Sequence, residues 1–444
     1  MASTKATLGT GARLSDFLTA SLLARVYPAE QVHEVLNRHA CNSQRIRSFP
    51  AVAGVYYCMA LSLYPEAAYE EVFAVMTHGL AWAAGAAEPA RVNKSCISRL
   101  RQKIDVAPLT DLMRLACVPL AKLTEHPEAF YAGRRLVAID GSTFEVPDEA
   151  DNVEHFGYPG SRTGHSGYPH AKCGLLVECA THAILDAHMG AYRDDEWTVC
   201  KPMLRSLKPS MLCSADRGFD AYSYWREASD TGADLLWRCM KDRPLPVQQE
   251  LGDGSYLSSL YPSGVGRKEK AKNALVVRVI DYEMPGLPDG QPRYRLLTTL
   301  LDPKEAPAMD LATLYHERWE VETVFDELKT HLLQRRRVLR SKTAKLLRQE
   351  FYGWVLAHYA VRWLMHQGAS AHRMRHRDLS FASHIQLMRR TQPQSGAFPP
   401  SETQKAPVVV ARSDEYRRQT THYAHRRETI TSHVQAAEFA VPIA

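Results

Sequence analysis

The chain has 444 residues, 45% of them hydrophobic, with 55 Lys and Arg against 49 Asp and Glu and a formal charge of +6. Such a composition can bury two or three cores and excludes a wholly disordered chain. The longest apolar run, about 51 to 64, is shorter than a membrane span, and the opening MASTKATLGTGARL has no apolar leader core, so a cytoplasmic location is expected. The nine cysteines, Cys41, Cys58, Cys96, Cys117, Cys173, Cys179, Cys200, Cys213 and Cys239, form no CxxC pair, which suits reduced buried thiols. Structural zinc is not expected, because the carboxyl-terminal histidines lie among Arg and Tyr without a partner set.

Residues 12 to 125 carry helical periodicity, with Leu14, Phe17, Leu18, Leu22, Leu23 and Val26 on one apolar face and similar spacing from Ala51 to Leu80. An α-helical amino-terminal domain follows, in which Arg91, Lys94, Arg99, Arg101 and Lys103 cluster as one candidate basic segment for contact with nucleic acid, a purely structural helical bundle being the plain alternative. Arg135 to Asp140 reads as a short apolar strand ending in an acid before a Gly turn, within a strand pair over 135 to 147. Ala171 to Tyr192 reads as two strands turning at Thr181 and His182, Glu196 to Leu207 as a helix, and Ser210 to Asp216 as a second strand ending in an acid. A helix over Ala221 to Gly232 and a strand over Ala233 to Met240 complete the β-β-β-α-β-α-β order of an RNase H-like core, an α/β fold in which strand ends bring Asp140 and Asp216 together. Either acid alone also reads as a turn residue or cap. Glu145, Asp148, Asp186, Asp194, Asp195, Glu196 and Asp220 read as solvated turns and caps and are not assigned to the site.

The 105 residues between Asp216 and Glu322 are too many for an ordinary connection. Residues 241 to 301 therefore form a β-rich insertion, with turn clusters at Gly252 to Gly254 and Pro285 to Gly290 and strand-like runs at Ala274 to Tyr282 and Tyr294 to Leu300. Gly266 to Lys272 reads as a basic loop. From residue 331 onward there are 19 Lys or Arg against 7 Asp or Glu, and Arg335, Arg336, Arg337, Arg340, Lys342, Lys345 and Arg348 follow one another without an acid. That is a footprint for a phosphate backbone, a solvated face being the plain alternative. Residues 390 to 444 read as a flexible linker rich in Pro, Ser and Gln with a basic tail.

No Pro or Gly interrupts 311 to 334, so one helix is predicted there, and α-helical geometry puts Tyr315, Arg318, Glu322 and Lys329 within an arc of about 60°. A carboxylate between cations on one face also describes an ordinary surface ion-pair helix. The spacing of these four residues, however, resembles the YREK signature of the insertion-sequence-four family of DDE transposases, and the surroundings of Asp140-Gly141 and Asp216-Arg217-Gly218-Phe219 resemble those of that family's two aspartates. The resemblance spans about 12 to 370. It implies an RNase H-like catalytic domain over 130 to 370 that carries the β-rich insertion, preceded by a domain over 12 to 125 that recognises terminal inverted repeats. It further implies Asp140, Asp216 and Glu322 as catalytic and metal-holding residues, DNA contacts by Tyr315, Arg318 and Lys329, a synaptic homodimer and a place on the bacterial nucleoid. Arg335, Arg336 and Arg337 are added to the DNA contacts on charge alone.

Three converging carboxylates suit two hard cations that share a phosphate, so two Mg²⁺ ions are expected, with Mn²⁺ able to substitute. The expected activity is cleavage that frees a 3′-hydroxyl, followed by joining to target DNA. Two other readings stay open: an RNase H-like endonuclease that only hydrolyses, and an inactive DNA-binding regulator.

Overall fold

The computed structural model describes residues 22–391, apart from 44–48, 84–91, 162–163, 166, 241, 284–292, 317–319 and 335–337. The amino-terminal helices are α1 (Leu22–Val26), α2 (Ala29–Arg38), α3 (Ala51–Leu63), α4 (Tyr69–Ala83), α5 (Lys94–Ile104) and α6 (Ala107–Ala116). Then come β1 (Phe130–Tyr131), β2 (Arg134–Glu145), α7 (Ala150–Phe156), β3 (Gly160–Ser161), β4 (Gly164–His165), β5 (His170–Glu178), β6 (Ala183–Ala191), α8 (Glu196–Cys200), β7 (Met211–Ala215), α9 (Tyr222–Ser229) and β8 (Asp234–Arg238). The remainder comprises β9 (Gln249–Glu250), β10 (Tyr256–Leu260), α10 (Arg267–Lys272), β11 (Leu275–Glu283), β12 (Arg293–Thr298), α11 (Ala308–His316), α12 (Glu320–Asp326), α13 (Ala344–His372) and α14 (Phe381–Thr391).

One sheet runs in the order β6-β5-β2-β7-β8-β12-β11-β10-β9, with β1 paired to β2 outside that path. β6, β5 and β2 pair antiparallel, and β2, β7 and β8 pair parallel, which is the order of an RNase H-like core. The inserted strands do not stand apart. β12 pairs antiparallel with β8, so residues 249–298 prolong the same sheet from its far edge. The apolar runs of β7 and of β5 are buried throughout or nearly so, as expected for strands covered on both faces.

The apolar stretch near residue 51 is α3, and all thirteen of its residues are buried. A helix that is apolar on every side belongs in a core or a membrane, and here α13 covers it. A methyl group at Gly353 would come within 2.4 Å of the Cys58 carbonyl oxygen, so the α3–α13 crossing depends on glycine. The Tyr27 hydroxyl donates to the Leu356 carbonyl at 2.7 Å, tying α13 to the amino-terminal helices as well. Helical region, sheet and α13 thus share one continuous core. Among the described residues no helix is long and apolar enough to cross a membrane.

Four local expectations are corrected. Residues 134–145 form one twelve-residue strand rather than a strand pair. The helix beginning at Glu196 becomes a 3₁₀ turn from Lys201 to Ser206, where Pro202 interrupts the α pattern. The basic loop is the short helix α10. The single α-helix expected over 311 to 334 is α-helical where described up to Asp326, in α11 and α12, and takes π geometry from Glu327 to Leu332.

Candidate active site

Asp140 does not end its strand. β2 continues to Glu145 against β5, while its parallel pairing with β7 covers only Arg135 to Ala138. Asp140 therefore lies just past the point where β7 leaves it. The same register that pairs Arg135 with Met211 and Ala138 with Ser214 carries Asp140 onto Asp216, the residue directly after β7. Asp216 keeps an extended backbone, φ −84° and ψ −177°. The two carboxylates thus occupy equivalent places on neighbouring strands, which lie about 4.8 Å apart in a sheet. Asp140 Oδ1 accepts from the Gly141 amide at 2.8 Å, and Asp216 Oδ1 accepts from the Gly218 amide at 2.7 Å.

A third acid joins them that the sequence reading set aside. Glu196 opens α8, and this helix lies against β2, β5 and β6 on a seat of glycines. A methyl at Gly141 would come within 2.5 Å of Glu196 Oε1, one at Gly174 within 2.6 Å of Cys200 Sγ, and one at Gly190 within 2.7 Å of Val199 Cγ2. The other Glu196 oxygen, Oε2, would stand 3.2 Å from a methyl at Gly218, and Asp216 Oδ1 3.0 Å from the same point. Glu196 therefore sits between the turns that follow the two aspartates. Its carboxyl pKa is raised by burial, with Asp140 and Asp216 next in effect and Lys172 opposing them. The glycine directly after Asp140, and the one two residues after Asp216, were the only sequence signs of this packing.

Glu322 lies half-buried in the first turn of α12, the helix that packs on β2. Lys329 reaches the same strand from the π-helix: its Nζ donates to Ser142 Oγ at 2.5 Å, and Asp140 acts on it electrostatically. Burial lowers the Lys329 pKa, opposed by Cys173 and Asp140. Tyr315 is buried, 3% exposed, with its ring edge against His316. Arg318 lies outside the described residues, as do Arg335, Arg336 and Arg337.

The change from α to π geometry begins at Glu327, which is 3% exposed. Its carboxylate accepts from His358 Nε2 at 2.8 Å and from Arg362 Nε at 3.0 Å, both on α13. Arg362 also donates to His182 Nδ1, and His182 Nε2 donates to Glu320 at 2.6 Å. This buried chain clamps the start of α12 to the β5–β6 turn and the start of the π-helix to α13. Wide helical turns of this kind concentrate at functional sites.

Of the basic clusters, Arg101 and Arg340 are tied into the fold, while Lys342 and Lys345 form exposed surface pairs. Arg101 is buried and donates to Gln349 at 2.9 Å and to Ser341 and the Leu346 carbonyl at 3.0 Å. Arg340 donates to the Pro65 and Ala67 carbonyls, Lys342 pairs with Glu149, and Lys345 pairs with Asp105 at 2.9 Å.

Residues 131–359 match the family model described as transposase DDE domain, and residues 18–114 match that described as insertion element 4 transposase N-terminal. The transposase InsG for insertion sequence element IS4 of Escherichia coli K12 is 26% identical over 282 residues, which cover 62% of this chain and 61% of InsG. InsZ of the same organism is 23% identical over 145 residues, 32% of this chain and 48% of InsZ. A cryo-EM structure of the piggyBac transposase synaptic complex with hairpin DNA is similar with a TM-score of 0.43 at 10% identity, covering 84% of this chain and 80% of that one.

Proposed function

Because the chain belongs to the insertion-sequence-four family of DDE transposases, we propose that it binds the terminal inverted repeats of an insertion sequence and cuts and joins DNA strands there. The observation that carries this reading is the β2–β7 register, which aligns Asp140 with Asp216 beside Glu196 while Lys329 reaches Ser142 on the same strand. Asp140, Asp216 and Glu322 are the catalytic carboxylates, and Glu196 is a positioning residue between the first two.

The residues fit the divalent cation that the family uses. Carboxylate oxygens are hard donors, and acids gathered this closely repel one another unless a cation shares them. Mg²⁺ is the ion assigned here, held by Asp140, Asp216 and Glu322, with Mn²⁺ as its substitute. When bound, it lowers the pKa of an attacking water or 3′-hydroxyl and neutralises charge on the departing oxygen. The protein then needs no covalent nucleophile. Lys329, a partly desolvated point charge beside Asp140, is placed to meet a DNA phosphate. Arg318 completes the end contact, with Arg335, Arg336 and Arg337 on the flanking backbone, while Tyr315, 3% exposed, supports this helix face from within the core rather than touching DNA. The helical region over 18–114 reads the repeat, two copies act together on paired ends, and the work is done on the bacterial nucleoid.

The test is incubation of the full chain with labelled terminal-repeat DNA and a supercoiled target, in Mg²⁺ or in EDTA. Mg²⁺-dependent joined products, absent for Asp140→Asn, are the expected result. Cleavage without joining would replace the transposase with a nuclease, and binding without either would leave a DNA-binding regulator.

A further inference from the structure

Outside the acid cluster, three histidines converge. His126 precedes β1, His366 lies near the end of α13, and His376 begins the 3₁₀ turn His376–Asp378. All three are buried, 8%, 5% and 5% exposed, and one ring nitrogen from each lies within 4.8 Å of the others. His366 Nδ1 and His376 Nε2 are 2.6 Å apart, with ring planes 5° from parallel and centroids 4.9 Å apart. The His126 ring is tilted at 45° and 50° to these two, with centroids 5.0 and 5.3 Å away. Residues 126 and 366 are 240 apart, so no spacing rule shows the cluster in the sequence.

We propose that His126, His366 and His376 form a binding site for a divalent transition-metal ion of the Zn²⁺ or Co²⁺ class, which clamps the segment before β1 to the end of α13. Three imidazoles with one open position are a known donor set for such ions. Burial supplies the neutral rings that coordination needs, lowering the pKa of His366 to about 4 and of His376 to about 3. Glu125, next to His126 in the chain and held by Lys122 at 2.9 Å, adds negative potential felt by the site, and the fourth position is left to solvent.

The metal-free state is accounted for as well. His126 Nδ1 accepts from the Lys122 amide at 3.2 Å, so its proton is on Nε2, and one proton is shared across the His366–His376 contact. Loading moves each of these protons to the other nitrogen of its own ring, with no net release, and opens the long Lys122 contact. Tetrahedral nitrogens at 2.0–2.1 Å from an ion stand roughly 3.3 Å apart. The close pair must therefore widen by less than an ångström and also turn, since its two nearly coplanar rings now point straight at each other whereas two ligands of one tetrahedral ion converge on it at about 109°.

The site is independent of the acid cluster, and its test can be kept so. The full chain, stripped with chelator, is titrated with CoCl₂ and then with ZnCl₂, in the wild type and in Asp140→Asn. The expected result is one Co²⁺ per chain with the visible absorption of a tetrahedral site, displaced by Zn²⁺, in both proteins, together with a higher melting temperature. His366→Gln and His376→Gln should each weaken binding by at least roughly ten-fold. A wild type without the cobalt bands or the thermal shift would reduce the cluster to hydrogen-bonded core histidines. Binding that survives both His variants, or that is lost in Asp140→Asn, would place the ion elsewhere. Because the wild-type titration decides the matter alone, a poorly folding variant does not protect the proposal.

Discussion

The two halves of the acid site are held by different physics. Asp140 and Asp216 take their places from backbone register, since the β2–β7 ladder repeats along four residue pairs in strands buried on both faces, where a slip would have to repack the core on each side of the sheet. Glu322 and Lys329 ride on a segment that changes from α to π geometry and is held by side chains: Glu327, His358 and Arg362 on one side, His182 and Glu320 on the other. A register survives the loss of one side chain. A buried polar chain does not, because each group left behind is desolvated and unpaired.

The sharpest separation comes from the acids. Asp140→Asn and Asp216→Asn should abolish Mg²⁺-dependent cleavage and joining while leaving repeat binding and melting temperature near wild type, as gel-shift and calorimetric measurements would show. Unfolding in either variant would mean that the aspartates hold the sheet rather than serve the reaction. Opposite behaviour is expected on the helix side. Arg362→Met leaves Glu327 buried without its cation and should cost about 3–5 kcal/mol of stability, lowering activity with it. The double variant Glu327→Met with Arg362→Met should recover most of that stability in denaturant unfolding. Recovery of fold without recovery of cleavage would show that the chain of contacts also aims Glu322.

A pH measurement sharpens the same contrast. Burial drives the His358 pKa down to about 3, and burial together with the Arg362 charge lowers that of His182. Both stay neutral in the fold and take a proton near pH 6.5 when unfolded. The unfolded state then binds more protons below that pH, so stability falls as pH drops through about 6.5 and is complete above it. At pH 5 the loss amounts to about 2 kcal/mol for His358. His358→Gln should flatten that part of the stability profile, and an unchanged slope between pH 7 and 5 would place the titration elsewhere.

Much of this was legible in the sequence because the strand half obeys local rules: short apolar runs ending near Asp140 and Asp216 announce themselves. Their exact context was not, since only the pairing shows that β2 runs on past Asp140 to Glu145. The YREK spacing led to Lys329 beside the first aspartate, but fixed angular steps could not foresee a π-helix set off by Glu327, whose partners lie at 358 and 362. Arg101 and Arg340 looked like surface charge because composition does not reveal that Gln349, Ser341 and two backbone carbonyls of 65 and 67 receive them. Glu196 was passed over for the same reason: what distinguishes it from Asp194 and Asp195 is the absence of side chains at Gly141 and Gly218.

That absence gives the smallest expected effect and the finest cut between the two halves. In Gly141→Ala the new methyl would stand 2.5 Å from Glu196 Oε1 and 2.8 Å from its Cγ, so the carboxylate must turn away from Asp140. The β2–β5 ladder at this point is made by backbone, and Gly141 has no left-handed conformation to lose, so stability should change little. If Glu196 positions the aspartates, Gly141→Ala should slow cleavage roughly ten-fold and weaken Mn²⁺ binding by a similar factor, and Glu196→Gln should do the same. A Gly141→Ala protein with wild-type rate and affinity would show that the site tolerates a displaced Glu196. The strand half would then consist of Asp140 and Asp216 alone, with α8 serving only to cover the sheet.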